Sequence, residues 1–569
     1  MRVLDGITVS KGLSKGKSVI YESPEIIITN TTTSEPEKEI DKLNAAVTSV
    51  IEDLVELKER VRIGLGEDNA HIFRSQQTIV EDPSIQDEIK EHIRQEQASA
   101  ESAVKIVFDT YASMFYELED DSYNKARVTD LEDLAARLLR KILGTETVEL
   151  DSLEYGSIIV AKELFPSETV LIDPNKVVGI ITEKGGITSH VAIIAGSLGI
   201  PAAVGVKNAV EAARNGKDIL LDAGDELKTI VVCDPDKAEH DRFEKKKNSF
   251  EERQRIISAV MNRDAVTADR HRILVSGNIG SDEELESGIS YGMKSVGLFR
   301  TEFLFLSAVS APTEEEQFKA YKRVAETLSD GMVIIRTLDV GGDKNIKYIP
   351  IEEEDNPFLG MRAIRVSLKE SSMFKSQIRA VLRASAFGNV KIMFPMIGSI
   401  GEVSTVKQLV DEAMAELSEE KIEFDDSIEI GIMIEIPSAV FMARELAREV
   451  DFMSIGTNDL TQYLLAADRL NENISEYYEI FHPAVFRSIN MIVDAAHSEG
   501  IWVGVCGELG GIPKAIPALI GLGVDELSMS PKKLPEAVYT IRNTSYEEAV
   551  RKAKEIVLQE DADGVKSLL

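Results

Sequence analysis

The chain has 569 residues, which at about 150 residues per domain makes room for three to four domains. Hydrophobic residues make up 43% and charged residues 28%, the proportions of globular rather than disordered material. The formal charge of −34 excludes a general nucleic-acid binder, which needs a basic face to neutralise phosphates, yet leaves room for a basic pocket around a small anion. Cys233 and Cys506 are too few for a disulfide framework or a four-cysteine zinc site. No apolar run of signal-peptide length follows Met1, and no stretch approaches the roughly 18 apolar residues of a membrane span. A soluble cytoplasmic protein without membrane insertion is expected.

Residues 1–33 are rich in glycine and β-branched residues, with a strand-like run at Ser18-Val19-Ile20-Tyr21. From 34 onward the pattern is helical. Ser34-x-x-Glu37 reads as a capping box with Pro36 in the first turn. Ile40, Leu43, Val47, Val50, Leu54, Leu57 and Val61 follow at alternating three and four spacing, the seam of a helical hairpin or bundle. A later helix runs through Val104, Val107, Phe108, Tyr111, Phe115 and Leu118. Another is expected to start at a Thr129-x-x-Glu132 cap and continue through Leu134, Leu138 and Ile142. Strands return at 157–160, 177–181, 219–221 and 229–232, with a helix at Ser189–Leu198. Residues 1–33 are expected to join that sheet. Residues 236–262, charged and without a sustained apolar face, read as a solvated linker helix. Beyond 265, eight compact apolar segments recur at β/α spacing, centred near 274, 297, 334, 391, 433, 454, 504 and 527. Eight strands alternating with helices predict a (β/α)8 barrel, in which chemistry gathers where strands end.

Arg300 follows the second barrel strand, Arg336 and Asp339 the third, and Glu435 the fifth. Asn458, Asp459 and Arg469 follow the sixth, Cys506 and Glu508 the seventh. Several guanidiniums at one mouth imply an anion with many oxygens, bound in fork geometry. Two acids and an amide beside them suit Mg²⁺, which takes a few carboxylates plus substrate oxygens. Taken singly, Arg300 with Glu302 or Arg469 with Asp468 reads equally as a rim ion pair. The coincidence with successive strand ends favours a site. Cys506 is either an inert buried thiol or an acid that moves a proton at carbon. A second constellation is Gly185-Gly186-Ile187-Thr188-Ser189-His190. Two glycines turn the chain after a strand, Thr188 or Ser189 caps a helix, and His190 lies in its first turn. A phosphoryl group on that ring would meet a helix-terminus anion site.

The glycine–histidine segment, followed by Ile200-Pro201-Ala202, resembles the phosphohistidine domain of phosphoenolpyruvate-utilising enzymes. The barrel segments Gly297-Leu298-Phe299-Arg300-Thr301-Glu302, Arg336 to Lys344, Asn356 to Arg362, Met433 to Ala439, Gly456 to Tyr463 and Cys506-Gly507-Glu508 strengthen the resemblance. Their order and the helical insertion are similar to the Enzyme I family, the phosphoenolpyruvate–protein phosphotransferases of bacterial sugar uptake. The insertion matches in layout more than in residue detail.

The resemblance implies an α/β multidomain fold. A phosphohistidine domain would comprise 1–33 and 146–235, with a helical subdomain at 34–145 that docks the small carrier protein HPr. A helical linker at 236–262 would lead to a phosphoenolpyruvate-binding (β/α)8 barrel at 263–569, through which two copies form a homodimer. It further implies that His190 takes the phosphoryl group of phosphoenolpyruvate and passes it to a histidine of HPr. Arg300, Arg336 and Arg469 would hold phosphate and carboxylate oxygens with help from Arg362 and Asn458, and Glu435 and Asp459 would hold Mg²⁺. Cys506 would protonate the enolpyruvate carbon, Thr169 would hydrogen-bond His190, and Thr188 and Ser189 would support it. The family often carries arginine where Ile187 and Gly196 stand, so positive charge near the histidine is reduced here. A nucleotide-dependent dikinase or synthase is the first competing reading. It lacks support in a chain with only about 185 residues before the histidine and no phosphate-binding loop pattern. A non-catalytic regulator built on the same scaffold is the second.

Overall fold

The computed structural model describes the chain apart from residues 1, 22–27, 29–31, 66, 118–121, 145–149, 151–152, 187–189, 215, 226–227, 307, 309, 343–345, 347 and 353. The chain divides into two compact units, Met1–Glu252 and Arg253–Leu569.

In the first unit, β1 (Arg2–Ser10), β2 (Gly12–Tyr21), β3 (Ser157–Ala161), β4 (Val177–Thr182), β5 (Ala202–Val204), β6 (Asp218–Ala223) and β7 (Thr229–Cys233) close a barrel in the order β1-β5-β4-β3-β2-β6-β7. The 1–33 segment thus joins the sheet as expected, but as two long strands rather than one short run. β3 pairs in parallel with β2 and β4, and its five residues are all buried. This is why Ile158-Ile159-Val160 reads as an unbroken apolar run.

Five helices, at Pro36–Leu65, Glu67–Glu81, Pro83–Gln95, Ala100–Glu117 and Ser122–Leu143, are inserted between β2 and β3. The heptad positions Ile40, Leu43, Val47, Val50, Leu54 and Leu57 are buried in their common core. The Val61 side chain lies outside the described residues, as does Leu118. Two cap expectations do not hold. The first helix opens at Pro36, and Glu37, instead of closing a box with Ser34, receives the Arg94 Nε at 3.3 Å. Thr129 lies well inside the helix Ser122–Leu143 rather than at its start, because the S/T-x-x-E pattern also arises by chance within helices. The bundle is tied to the barrel through Glu168, which accepts from Arg140 at 3.2 Å and from the Tyr21 hydroxyl at 2.8 Å.

The charged stretch forms a helix, Lys237–Val260. Its charges face solvent, but Phe243 is buried against Leu13, Leu220 and Val232, with Phe250 packed beside them. Lys246 reaches Asp222 at 2.5 Å, and Lys15 pairs with Glu244. The expectation of a wholly solvated helix fails at Phe243 and at Ile257, which is also buried.

In the second unit, β8 (Leu274–Ile279), β9 (Val296–Arg300), β10 (Met332–Arg336), β11 (Asn389–Phe394), β12 (Ile430–Ile434), β13 (Phe452–Ile455), β14 (Trp502–Val505) and β15 (Glu526–Met529) close an all-parallel barrel. All eight predicted strands are present. Helices surround them, two opened by capping boxes at Thr313/Glu316 and Ser399/Glu402. Among the described residues, no helix is long and apolar enough to cross a membrane.

Candidate active site

The carboxyl ends of β8, β9, β10 and β12 to β15 open on a cavity of about 710 Å³. All eight barrel residues singled out from the sequence line it: Arg300, Arg336, Arg362, Glu435, Asn458, Asp459, Arg469 and Cys506. Parallel register sets Arg336 beside Arg300 at the ends of neighbouring strands.

The four arginines divide by what holds them. Arg336, buried, donates to Glu302 at 2.7 Å and lies 3.1 Å from Asp339. Arg362, 2% exposed, bridges two carboxylates, at 3.2 and 3.4 Å to Asp339 and at 3.0 Å to each oxygen of Asp459. Burial alone would discourage charge on either guanidinium. The neighbouring carboxylates outweigh it and hold both above the usual arginine range. Arg300 and Arg469 differ in that neither pairs with a carboxylate among the described residues; the Nε of each is buried without a partner there, as is that of Arg336. Arg300 instead lies over the Phe303 ring at 4.9 Å. Two half-buried charged donors not spent on an acid are what an incoming polyanion needs.

Glu435 is buried and accepts the Met396 backbone N–H at 2.7 Å. Burial pushes its carboxyl up to about 8, Asp459 and Asp339 push in the same direction, and Arg336 and Arg362 oppose. Among the described residues, no three histidine, cysteine or acidic side chains form a ready metal cage. Mg²⁺ does not need one, since one or two carboxylates plus substrate oxygens suffice. Glu435 and Asp459 supply hard oxygen donors in a cluster where the carboxylates of Glu302, Asp339, Glu435 and Asp459 face only the guanidiniums of Arg336 and Arg362, so the residues present fit such an ion. Asn458 accepts the Glu508 backbone N–H at 3.0 Å through its side chain, which fixes the turn after β13. Cys506 is buried at the cavity floor with its Sγ 3.7 Å from the Ile455 carbonyl, and burial pushes its thiol up to about 12. It is therefore a protonated thiol, able to give a proton rather than attack as a thiolate.

The sequence reading stopped at the seventh strand end. The eighth leads into Ser530-Pro531-Lys532-Lys533, and both lysines line the cavity. Their signal was plain, two lysines just after an apolar strand. Asn278, at the end of β8, was also missed; its Nδ2 donates to the Cys506 carbonyl at 3.0 Å.

In the first unit, His190 is the first residue of the helix His190–Leu198, reached from β4 through Gly185, whose φ of 105° favours glycine. Thr188, Ser189 and Ile187 lie outside the described residues, as does the His190 side chain. Thr169 ends the short helix Pro166–Thr169 and is buried. Among the described residues, a Cβ at Gly196 would meet nothing within 4 Å.

A (β/α)8 barrel whose mouth joins unpaired arginines, an acid cluster and a protonated thiol defines a class of protein: one that handles a small phosphorylated or carboxylated anion with proton transfer at its floor. Three family models match this chain: the PEP-utilising enzyme N-terminal region over 5–127, the mobile domain over 153–225, and the PEP-binding domain over 255–546. Similar full-length proteins include the phosphoenolpyruvate-protein phosphotransferase of Priestia megaterium, 41% identical over 95% of this chain and 94% of that one. Those of Haemophilus influenzae and Bacillus subtilis are each 40% identical, over 96% of this chain and 95% and 96% of theirs. The chain belongs to the family of phosphoenolpyruvate-utilising enzymes.

Proposed function

We propose that the chain transfers the phosphoryl group of phosphoenolpyruvate to its own His190, releases pyruvate, and passes the group on to a histidine of a small phosphocarrier protein of the HPr kind, the first step of sugar uptake by phosphotransfer. The observation that carries this reading is the convergence of Arg300, Arg336, Arg469, Glu435, Asp459 and Cys506 on one cavity. Arg300 and Arg469 bind phosphate and carboxylate oxygens. Arg336, locked by Glu302 and Asp339, presents a fixed charge to the transferring group. Glu435 and Asp459 hold Mg²⁺, which when bound neutralises charge on the phosphoryl group and the leaving enolate. Cys506 gives its proton to the enolpyruvate carbon. In the first unit His190 accepts the phosphoryl group at a helix start, where backbone N–H groups favour an anion, and Thr169 orients it. Two copies pair through the barrel unit, where Leu359, Phe441 and Leu470 are exposed apolar side chains of the kind a second subunit covers.

Incubation with ³²P-phosphoenolpyruvate and Mg²⁺, without nucleotide, is expected to give acid-labile label that His190→Gln abolishes and purified HPr removes. Label that requires ATP supports a dikinase instead, and no label at all refutes the reading.

A further inference from the structure

Each turnover that takes a proton from Cys506 leaves a thiolate at the bottom of the cup, and the next turnover cannot start until that proton is replaced. The barrel interior beneath Cys506 is built for the replacement. Ser454, Gly504 and Glu526 are direct cross-strand neighbours on β13, β14 and β15. Gly504 has no side chain, and the space it leaves between the Ser454 and Glu526 positions is taken by the glutamate carboxyl. Cys506 lies two residues further along the Gly504 strand and therefore on the same inward face. The Ser454 hydroxyl lies beside the thiol.

The Glu526 carboxyl fills the space left by two glycines. A Cβ at Gly504 would come within 2.5 Å of one of its oxygens, and a Cβ at Gly297 within 2.3 Å of the other. Glu526 is 1% exposed, with the Ser276 hydroxyl beside its carboxyl, and among the described residues neither oxygen makes a close hydrogen bond. A carboxyl in that setting is costly unless it serves some purpose. Glu526 also borders a second cavity, of about 700 Å³, at the opposite end of the barrel, among the first residues of β8, β10, β11 and β14: Leu274, Met332, Asn389 and Trp502.

We propose that Glu526 is the relay through which Cys506 recovers its proton from solvent at the amino-terminal end of the barrel, by way of the Ser454 hydroxyl. After the thiol S–H has given its proton to the enolpyruvate carbon, the Ser454 O–H donates to the thiolate and accepts the proton of the Glu526 carboxylic acid. The carboxylate left behind takes a proton from water in the lower cavity. One solvent proton thus ends on the pyruvate methyl group, with no electrons transferred. The charged groups bearing on the thiol are Glu435, Arg336 and Glu526. Burial pushes the thiol up to about 12 and Glu526 up to about 8, so the proton runs downhill from acid to thiolate. Glu526 touches no substrate; it acts through Cys506, and the inference rests on Cys506 as proton donor.

The test compares two exchanges catalysed by the full chain with phosphoenolpyruvate, pyruvate and Mg²⁺. Carbon exchange between [¹⁴C]pyruvate and phosphoenolpyruvate needs the thiol proton only to shuttle within the site. Deuterium entry into the pyruvate methyl group from D₂O needs the thiol to communicate with solvent. In Glu526→Gln, carbon exchange is expected to persist while deuterium entry per carbon exchanged falls about tenfold or more. Ser454→Ala is expected to move the same ratio in the same direction. An unchanged ratio in both variants overturns the relay, because solvent then reaches the thiol through the mouth. A parallel fall of both exchanges also overturns it, by assigning Glu526 a packing role alone. Carbon exchange absent from the parent chain, or undiminished in Cys506→Ser, sinks the reading beneath the relay and the relay with it.

Discussion

Replacing Glu526 by glutamine isolates the cost of a buried carboxyl. The acid sits inside the barrel with the Ser276 hydroxyl beside it, and burial outweighs that contact and lifts it from an ordinary 4.5 to about 8. A group whose folded value is raised keeps its proton in the folded state after the unfolded state has lost it. Stability therefore falls as pH climbs from the unfolded to the folded value, here from about 4.5 to about 8. The slope of a fully buried acid approaches about 1.4 kcal/mol per pH unit, so between pH 5 and 8 the parent should lose on the order of 3 kcal/mol that the neutral, equally sized glutamine does not. Trp502, the single tryptophan, stacks on Phe452 at 4.7 Å within the barrel, so its fluorescence reports unfolding of that unit alone. Urea titrations at pH 5, 6, 7 and 8 should give parent and variant midpoints that diverge steadily, with the variant the more stable at pH 8. Parallel midpoints across that range would refute the burial argument.

Three further outcomes are expected, two from the division among the arginines and one from the thiol. Arg362→Met leaves Asp339 and Asp459 facing one another without their shared cation, and should cost about 3–5 kcal/mol in the same urea titration, with part recovered on adding Mg²⁺. Arg469→Met orphans no partner, so its midpoint should stay within about 1 kcal/mol of the parent, while kcat/KM for phosphoenolpyruvate falls by about 10–100-fold through the lost charged hydrogen bonds. Cys506→Ser should slow pyruvate formation by about 10²–10⁴-fold with little change in phosphoenolpyruvate binding measured by calorimetry; unchanged turnover removes the thiol as donor.

The barrel was legible because parallel strands, buried on both faces, become short unbroken apolar runs, and because its charged residues stand immediately after those runs. The first unit was less so. The strand Arg2–Ser10 has a half-exposed surface, with Val3 and Ile7 facing solvent, so no clean alternation marks its length or the barrel it closes. Local cap patterns misled at Ser34 and Thr129, where tertiary contacts and the continuing helix decide instead. Phe243 was invisible as a core residue because its partners Leu13 and Leu220 come from strands remote in sequence. Nor could spacing foretell that Arg362 spends its guanidinium on Asp339 and Asp459, the latter 97 residues away, while Arg300 and Arg469 spend theirs on no acid.

That asymmetry explains how a chain of charge −34 can hold a polyanion. At physiological salt the repulsion of distant carboxylates fades within about 8 Å, so affinity is decided inside the cup. There a lone buried arginine would be costly and mobile. Arg336 and Arg362 avoid that cost by pairing with Glu302, Asp339 and Asp459, and the same pairs fix their positions before substrate arrives. Arg300 and Arg469, half-buried and paired with no acid among the described residues, keep their guanidinium donors for an anion in the cavity. The paired arginines therefore supply a fixed field and the unpaired ones supply affinity. Because the fixed field costs no reorganisation as charge moves from phosphoryl group to enolate, it is the part of the cup that can favour the transition state over the bound substrate.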